Sequence, residues 1–192
     1  MDEKRQKLSK VLLETGAVKF GDFLLTSGKR SSYYVDIKNT ATDPATLSLI
    51  ADMFTGMLKG KKIAGVELGA VPLLVATALK AGIPYVIIRK ERKHGTGKLT
   101  IGEFGEEDID IIEDVVTTGN SILKAVNYLR ENGARVSRAF CVVDREEGDK
   151  IKVLVLLTGV KSPYMISGRS EARNIRKLLG ESDEDLGVDM VD

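Results

Sequence analysis

The sequence predicts an open α/β fold, a mostly parallel, twisted sheet flanked by helices. Three observations carry that prediction. Apolar, strand-like runs alternate with stretches of helical periodicity; the helical stretches run about a dozen residues and several stop on glycine; and no repeat or low-complexity segment interrupts the alternation. With 192 residues, of which 43% are hydrophobic and 30% charged, the chain suits one globular domain with a full core spanning 1–192.

Taken in order, residues 4–15 carry Leu8, Val11 and Leu12 at helical spacing, and Gly16 ends the run. The stretch "TDPATLSLIADMFTGML" then opens a helix with Asp43 as N-cap and Pro44 in the first turn. Leu47, Ile50, Ala51 and Phe54 form its apolar face. "KIAGVEL" (62–68) reads as a buried strand running into the helix "VPLLVATALKAG", again closed by glycine. "IPYVIIRK" (83–90), "DIDIIED" (108–114), "ARVSRAFCVVD" (134–144) and "KIKVLVLL" (150–157) are four further strands. Between the second and third of these, "NSILKAVNYLRENG" is amphipathic, with Ile122, Ala125, Val126 and Leu129 on one face and Gly133 as its stop. "RSEARNIRKLLG" reads as a final helix, followed by an acidic tail from about residue 181.

Global charge directs attention to local features. The chain has 29 basic and 28 acidic residues, a net +1, so nothing in the balance marks a nucleic-acid binder. The charged N-terminus "MDEKRQKLSK" lacks the apolar centre of a signal peptide, and no run approaches the roughly 20 apolar residues of a membrane span. The expectation is a cytoplasmic protein. Cys141, the single cysteine, lies in "AFCVV", where a packed, inert thiol is the simplest reading; an internal disulfide and a cysteine zinc cluster are excluded.

Open α/β sheets bind ligands beyond the carboxyl ends of their strands. Four segments therefore matter: "ELGAVP", "RKERKHGTGK", "EDVVTTGNS" and "DREEGD". In "EDVVTTGNS" the run Thr117, Thr118, Gly119, Asn120, Ser121 lies between a strand and a helix N-terminus, where free N–H groups and the helix dipole favour a phosphate. Glu113 and Asp114 would repel that phosphate. They suit hydroxyl donors, such as a ribose diol, or an anomeric carbon that turns cationic. A ribose 5-phosphate satisfies both halves; the plainer alternative is acidic bias at a helix start with Asn120 or Ser121 as its cap. Other phosphate motifs fit poorly. "LLTSGKRS" lacks the first glycine and the hydroxyl residue of a P-loop, and no GxGxxG follows a strand.

"RKERKHGTGK" gathers Arg89, Lys90, Arg92, Lys93, His94 and Lys98 against Glu91 alone, with Gly95 and Gly97 loosening the backbone. Such a loop suits closure over a polyphosphate; a solvated surface loop is the alternative. Arg145, with its planar fork of donors, suits a carboxylate or carbonyl, against the alternative of an ordinary surface arginine.

"EDVVTTGNS" resembles the ribose-phosphate signature of type I phosphoribosyltransferases, and "RKERKHGTG" resembles the mobile loop of one branch, the orotate phosphoribosyltransferases. "KFGDFLLTSGKRSSYYVDIK" (19–38) is similar to that branch's N-terminal hood, within about 1–40, and "VVDREEG" to its arginine-bearing loop. The matches run from about residue 8 to residue 148 in the family's order. The resemblance implies that 5-phosphoribosyl 1-diphosphate and orotate give orotidine 5′-monophosphate and diphosphate, with Mg²⁺ held mainly by substrate and water. It places Glu113, Asp114, Lys93 and His94 at the reacting centre. It implies phosphoribosyl diphosphate contacts for Arg89, Lys90, Lys93, His94 and the run Glu113, Asp114, Val115, Val116, Thr117, Thr118, Gly119, Asn120 and Ser121. Orotate falls to Thr117, Arg145, Lys29 and Tyr34, with Tyr33 as a further wall unless the tyrosines are core. A homodimer sharing sites through the basic loop is also implied.

The chain departs from many bacterial members of that family in three places. Thr26 stands where they have a lysine, Gly69 has no lysine beside it, and the loop is one residue shorter between Lys93 and His94. Asp110 also interrupts an otherwise apolar strand. Two other readings use the same signature: a purine phosphoribosyltransferase, and a regulator that binds phosphoribosyl diphosphate without catalysis. The regulator lacks support from any added basic nucleic-acid element.

Overall fold

The computed structural model describes residues 2–24, 30–90, 99–145 and 151–158. Its centre is a six-stranded sheet built from β3 (Lys62–Val66), β4 (Tyr85–Ile88), β5 (Thr100–Ile101), β6 (Asp108–Val116), β7 (Arg135–Arg145) and β8 (Ile151–Thr158). The order across the sheet is β5-β4-β3-β6-β7-β8. β4, β3, β6 and β7 are parallel neighbours, and the two edge strands β5 and β8 pair antiparallel. The carboxyl ends of all four parallel strands therefore lie along one edge.

A separate hairpin, β1 (Val18–Leu24) and β2 (Arg30–Val35), pairs antiparallel with an irregularity between Phe20 and Phe23. This is the hood segment. It is preceded by α1 (Asp2–Glu14) and followed by the single turn α2 (Ile37–Thr40), which Asp36 caps by accepting from the Asn39 N–H. The remaining helices are α3 (Pro44–Thr55), α4 (Ala70–Ala81) and α5 (Asn120–Glu131). Asp43 caps α3 as its sequence predicts, its Oδ2 taking the Thr46 N–H at 2.8 Å.

Two apolar clusters cover the sheet. One joins Leu8 and Leu12 of α1, Val18 and Tyr33 of the hairpin and Ile37 of α2 to Ile50 and Phe54 of α3, Leu73 and Leu74 of α4, and Ile112 and Phe140 of the sheet. The other sets Ile122, Ala125, Val126 and Leu129 of α5 against Ala64, Ile109, Ile111 and Cys141. Alternating faces of each strand feed the two layers.

The observed elements differ from the sequence reading at their ends. β3 stops at Val66, because Glu67 to Gly69 turn the chain into α4, and β6 continues through Val115 and Val116. β5 is too short to show periodicity. Asp110 does not weaken its strand: its buried carboxylate accepts from the Lys59 and Gly60 N–H groups at 3.0 and 2.8 Å and from Arg138 Nη2 at 2.7 Å. Arg138 also donates to the Met57 carbonyl and lies over Phe140. These contacts tie the start of the sheet to the loop after α3. The expected final helix and acidic tail lie outside the described residues.

Candidate functional site

β6 delivers Glu113 and Asp114 to the carboxyl edge, where each is only 6% exposed. Glu113 Oε1 accepts the Asp114 N–H at 3.2 Å, so the two side chains stand together at the edge. Burial first, then the bond to Asp114 and its charge, push the Glu113 carboxyl up to about 8, with the Lys90 charge acting the other way.

Three other elements converge on the pair. Lys38, from α2, brings its Nζ to 3.2 Å from Asp114 Oδ2. Burial alone would lower the Lys38 ammonium; Asp114, with Asp36 and Glu113, outweighs it and holds the group above its usual value. Gly69, in the turn after β3, makes room for the same carboxylate: a Cβ there would lie 2.0 Å from Asp114 Oδ2. Glu67, in that turn, accepts the Lys90 N–H at 3.0 Å, which holds the start of the basic loop against the edge.

Beyond the acids the chain turns through Thr117, Thr118 and Gly119 into α5. Gly119 takes φ 76°, a left-handed conformation that glycine adopts without cost, and no side chain caps the helix. Asn120 is the first residue of α5, so neither it nor Ser121 serves as the cap of the plainer sequence alternative. Thr117, Thr118, Asn120 and Ser121 are exposed, leaving the first-turn N–H groups open to an anion. Val116 is buried in the α5-side cluster and the Val115 side chain packs on the other, so at these two positions the main chain is what is left to face a ligand.

At the end of β7, the Arg145 guanidinium lies 4.9 Å from the Tyr33 ring centroid and Nη2 donates to Ser31 Oγ at 3.4 Å. Its Nε has no hydrogen-bond partner among the described residues. Tyr34 does not join Arg145. Successive strand residues face opposite ways, so Tyr33 is buried beside the arginine while Tyr34 is exposed and packs on Phe23. Arg89 and Lys90 follow β4, with the Arg89 N–H bonded to the Leu99 carbonyl at 2.7 Å. Lys29, Lys93 and His94 lie outside the described residues.

Thus the structure brings Glu113, Asp114, the Thr117 to Ser121 turn, Arg89, Lys90 and Arg145 to one edge. It adds Lys38, Glu67 and Gly69, which sequence reasoning did not assign. Lys38 sits in a polar stretch with no motif, and only the folding of the hairpin onto β6 reveals it. Gly69 carried a signal, since a glycine in a strand-to-helix turn marks a close approach.

The phosphoribosyl transferase domain model matches residues 43–153. The orotate phosphoribosyltransferase of Thermoplasma acidophilum is 69% identical over 142 residues, covering 73% of this chain and 83% of that protein. Among solved structures, orotate phosphoribosyltransferase from Aeropyrum pernix is 36% identical with a TM-score of 0.63, covering 74% of this chain and 84% of that one. The Mycobacterium tuberculosis enzyme, solved in complex with 5-phospho-α-D-ribosyl 1-diphosphate, is 28% identical with a TM-score of 0.61, over 76% and 86% of the two chains.

Proposed function

The chain belongs to the orotate phosphoribosyltransferase family, and from that premise we propose how its carboxyl edge moves a phosphoribosyl group from 5-phosphoribosyl 1-diphosphate to orotate. The bond between C1 of the ribose and the diphosphate oxygen breaks, a bond from C1 to the pyrimidine nitrogen forms, and diphosphate leaves. The observation that carries the reading is the buried pair Glu113 and Asp114 beside an uncapped helix start. It supports a ligand that offers hydroxyl donors on one side and a phosphate on the other.

The main-chain N–H groups from Thr117 to Ser121 take the 5′-phosphate, and the acids take the ribose hydroxyls. As the leaving group departs, positive charge builds on the ring next to these acids. The diphosphate then lies toward Arg89 and Lys90, with Lys93 and His94 assigned to it from the family resemblance. Arg145, steadied by Tyr33, offers its guanidinium fork to the orotate carboxylate or a carbonyl. The described side chains at this edge offer oxygen rather than thiolate, which suits Mg²⁺; the ion would be held mainly through the diphosphate and water and would supply charge neutralisation for the leaving group. A cytoplasmic homodimer, with the basic loop reaching a neighbouring site, completes the proposal.

The test is purified protein with Mg²⁺ and phosphoribosyl diphosphate, offered orotate, uracil, hypoxanthine and adenine in separate reactions. Loss of orotate absorbance, with no turnover of the other bases, is expected. Turnover of a purine but not orotate would overturn the base assignment, and binding without turnover would point to a regulator.

A further inference from the structure

Three features of the site fix how its acids are held. The carboxylate of Asp114 is hemmed on one side by Gly69, where even a methyl group would overlap it. On the other side Lys38 reaches the same oxygen, Oδ2, at 3.2 Å, from a hood helix packed on β6. Glu113 Oε1 accepts the Asp114 main-chain N–H at 3.2 Å, which sets the two acids side by side. One oxygen of Asp114 thus faces a cation of the hood.

We propose that Lys38 is a positioning residue of this site: its ammonium, reaching in from the hood, holds Oδ2 of Asp114 and fixes how the acid pair is presented to the ribose. The inference rests on the acids being the ribose-binding groups of the proposed transfer. It explains why the hood carries a cation toward the place where ribose charge develops. Lys38 offsets the charge of Asp114 from the hood side, while Lys90 acts on Glu113 from the end of β4.

Other charges at this edge are placed differently. Lys90 acts on Glu113 from the end of β4, Asp36 lies two residues before Lys38, Glu67 takes the Lys90 N–H, and Asp144 sits at the end of β7 opposite Val116 in the ladder. Among the described ion pairs, Lys38 is the cation on Asp114. Its own side chain is 60% exposed, so replacing it removes charge with little loss of packing.

The experiment compares the full chain with Lys38→Met and Lys38→Arg. In the ligand-free protein, carboxyl ¹³C NMR follows the titration of the pair; in parallel, kcat/KM for phosphoribosyl diphosphate with orotate is measured against pH. Loss of a partly exposed opposite charge at this distance raises carboxyl titration by about one pH unit. Lys38→Met should move both the NMR titration and the pH profile upward by that amount, and Lys38→Arg should restore them. A titration unmoved in Lys38→Met overturns the proposal. So does tighter substrate binding with an unmoved profile, which would make Lys38 a plug. A wild-type chain that turns over no orotate refutes the transfer reading instead, while the NMR arm still decides the role of Lys38.

Discussion

Replacing Glu113 with glutamine should stabilise the ligand-free protein while reducing its activity. Glutamine has nearly the shape of a protonated glutamic acid and can donate to Asp114 as that acid does. In the folded protein the carboxyl titrates at about 8, against an ordinary 4.5. Between those values the native state holds a proton that the unfolded chain has released, so stability falls as pH rises from about 4.5 and levels off above about 8. Each tenfold change in proton affinity is worth roughly 1.4 kcal/mol, which gives an upper bound of about 5 kcal/mol over the window. Sharing of the proton with Asp114 reduces this to about 2–4 kcal/mol. For a chain of this size that is on the order of 4–16 °C in Tm. Thermal melts of both proteins from pH 5.5 to 8.5 measure the difference. Asp43, Glu107 and Asp108 are held below their ordinary values, so their contributions are complete by about pH 5 and lie outside the window. The Glu113→Gln curve should be flatter and should lie above wild type at pH 8.5. Parallel curves, or a wild type that gains stability over this range, would refute the reasoning.

Two further substitutions separate function from architecture. Gly69→Ala should displace the Asp114 carboxylate, since its Cβ would lie 2.0 Å from Oδ2; kcat/KM should fall roughly 100-fold with a stability cost of about 1–3 kcal/mol, and unchanged kinetics would show that Asp114 acts elsewhere. Asp110→Ala strands the largely buried Arg138 guanidinium and two main-chain donors, so urea unfolding should register a loss of about 3–5 kcal/mol while the folded enzyme keeps its kcat; a folded but inactive variant contradicts that structural role.

The parallel centre of the sheet was legible because each of its strands is an apolar run bounded by glycine or charge, and α5 because its periodicity is uninterrupted. The hairpin strands were not individually legible. β1 has a mostly exposed face pattern without alternation, so only its family resemblance marked it. The acids and the glycine turn could be read from their order along the chain, since strand, anion site and helix follow in sequence. Lys38 could not, because its partner is brought to it by tertiary packing alone. The choice between Tyr33 and Tyr34 turned on strand parity, and the irregularity in the hairpin removes the pattern from which parity is counted. Asp110 looked like a flaw because its partner, Arg138, lies on a neighbouring strand.

The hood carries Tyr33 and Lys38, yet its inward side chains belong to the same apolar cluster as α1, α3, α4 and the sheet. Specificity on this scaffold is therefore not a detachable cartridge. A lineage that set out to accept a different base by exchanging the hairpin would have to re-fit the interior around Val18, Tyr33 and Ile37 at the same time. Under the proposed base contacts, base choice and foldability are inherited together.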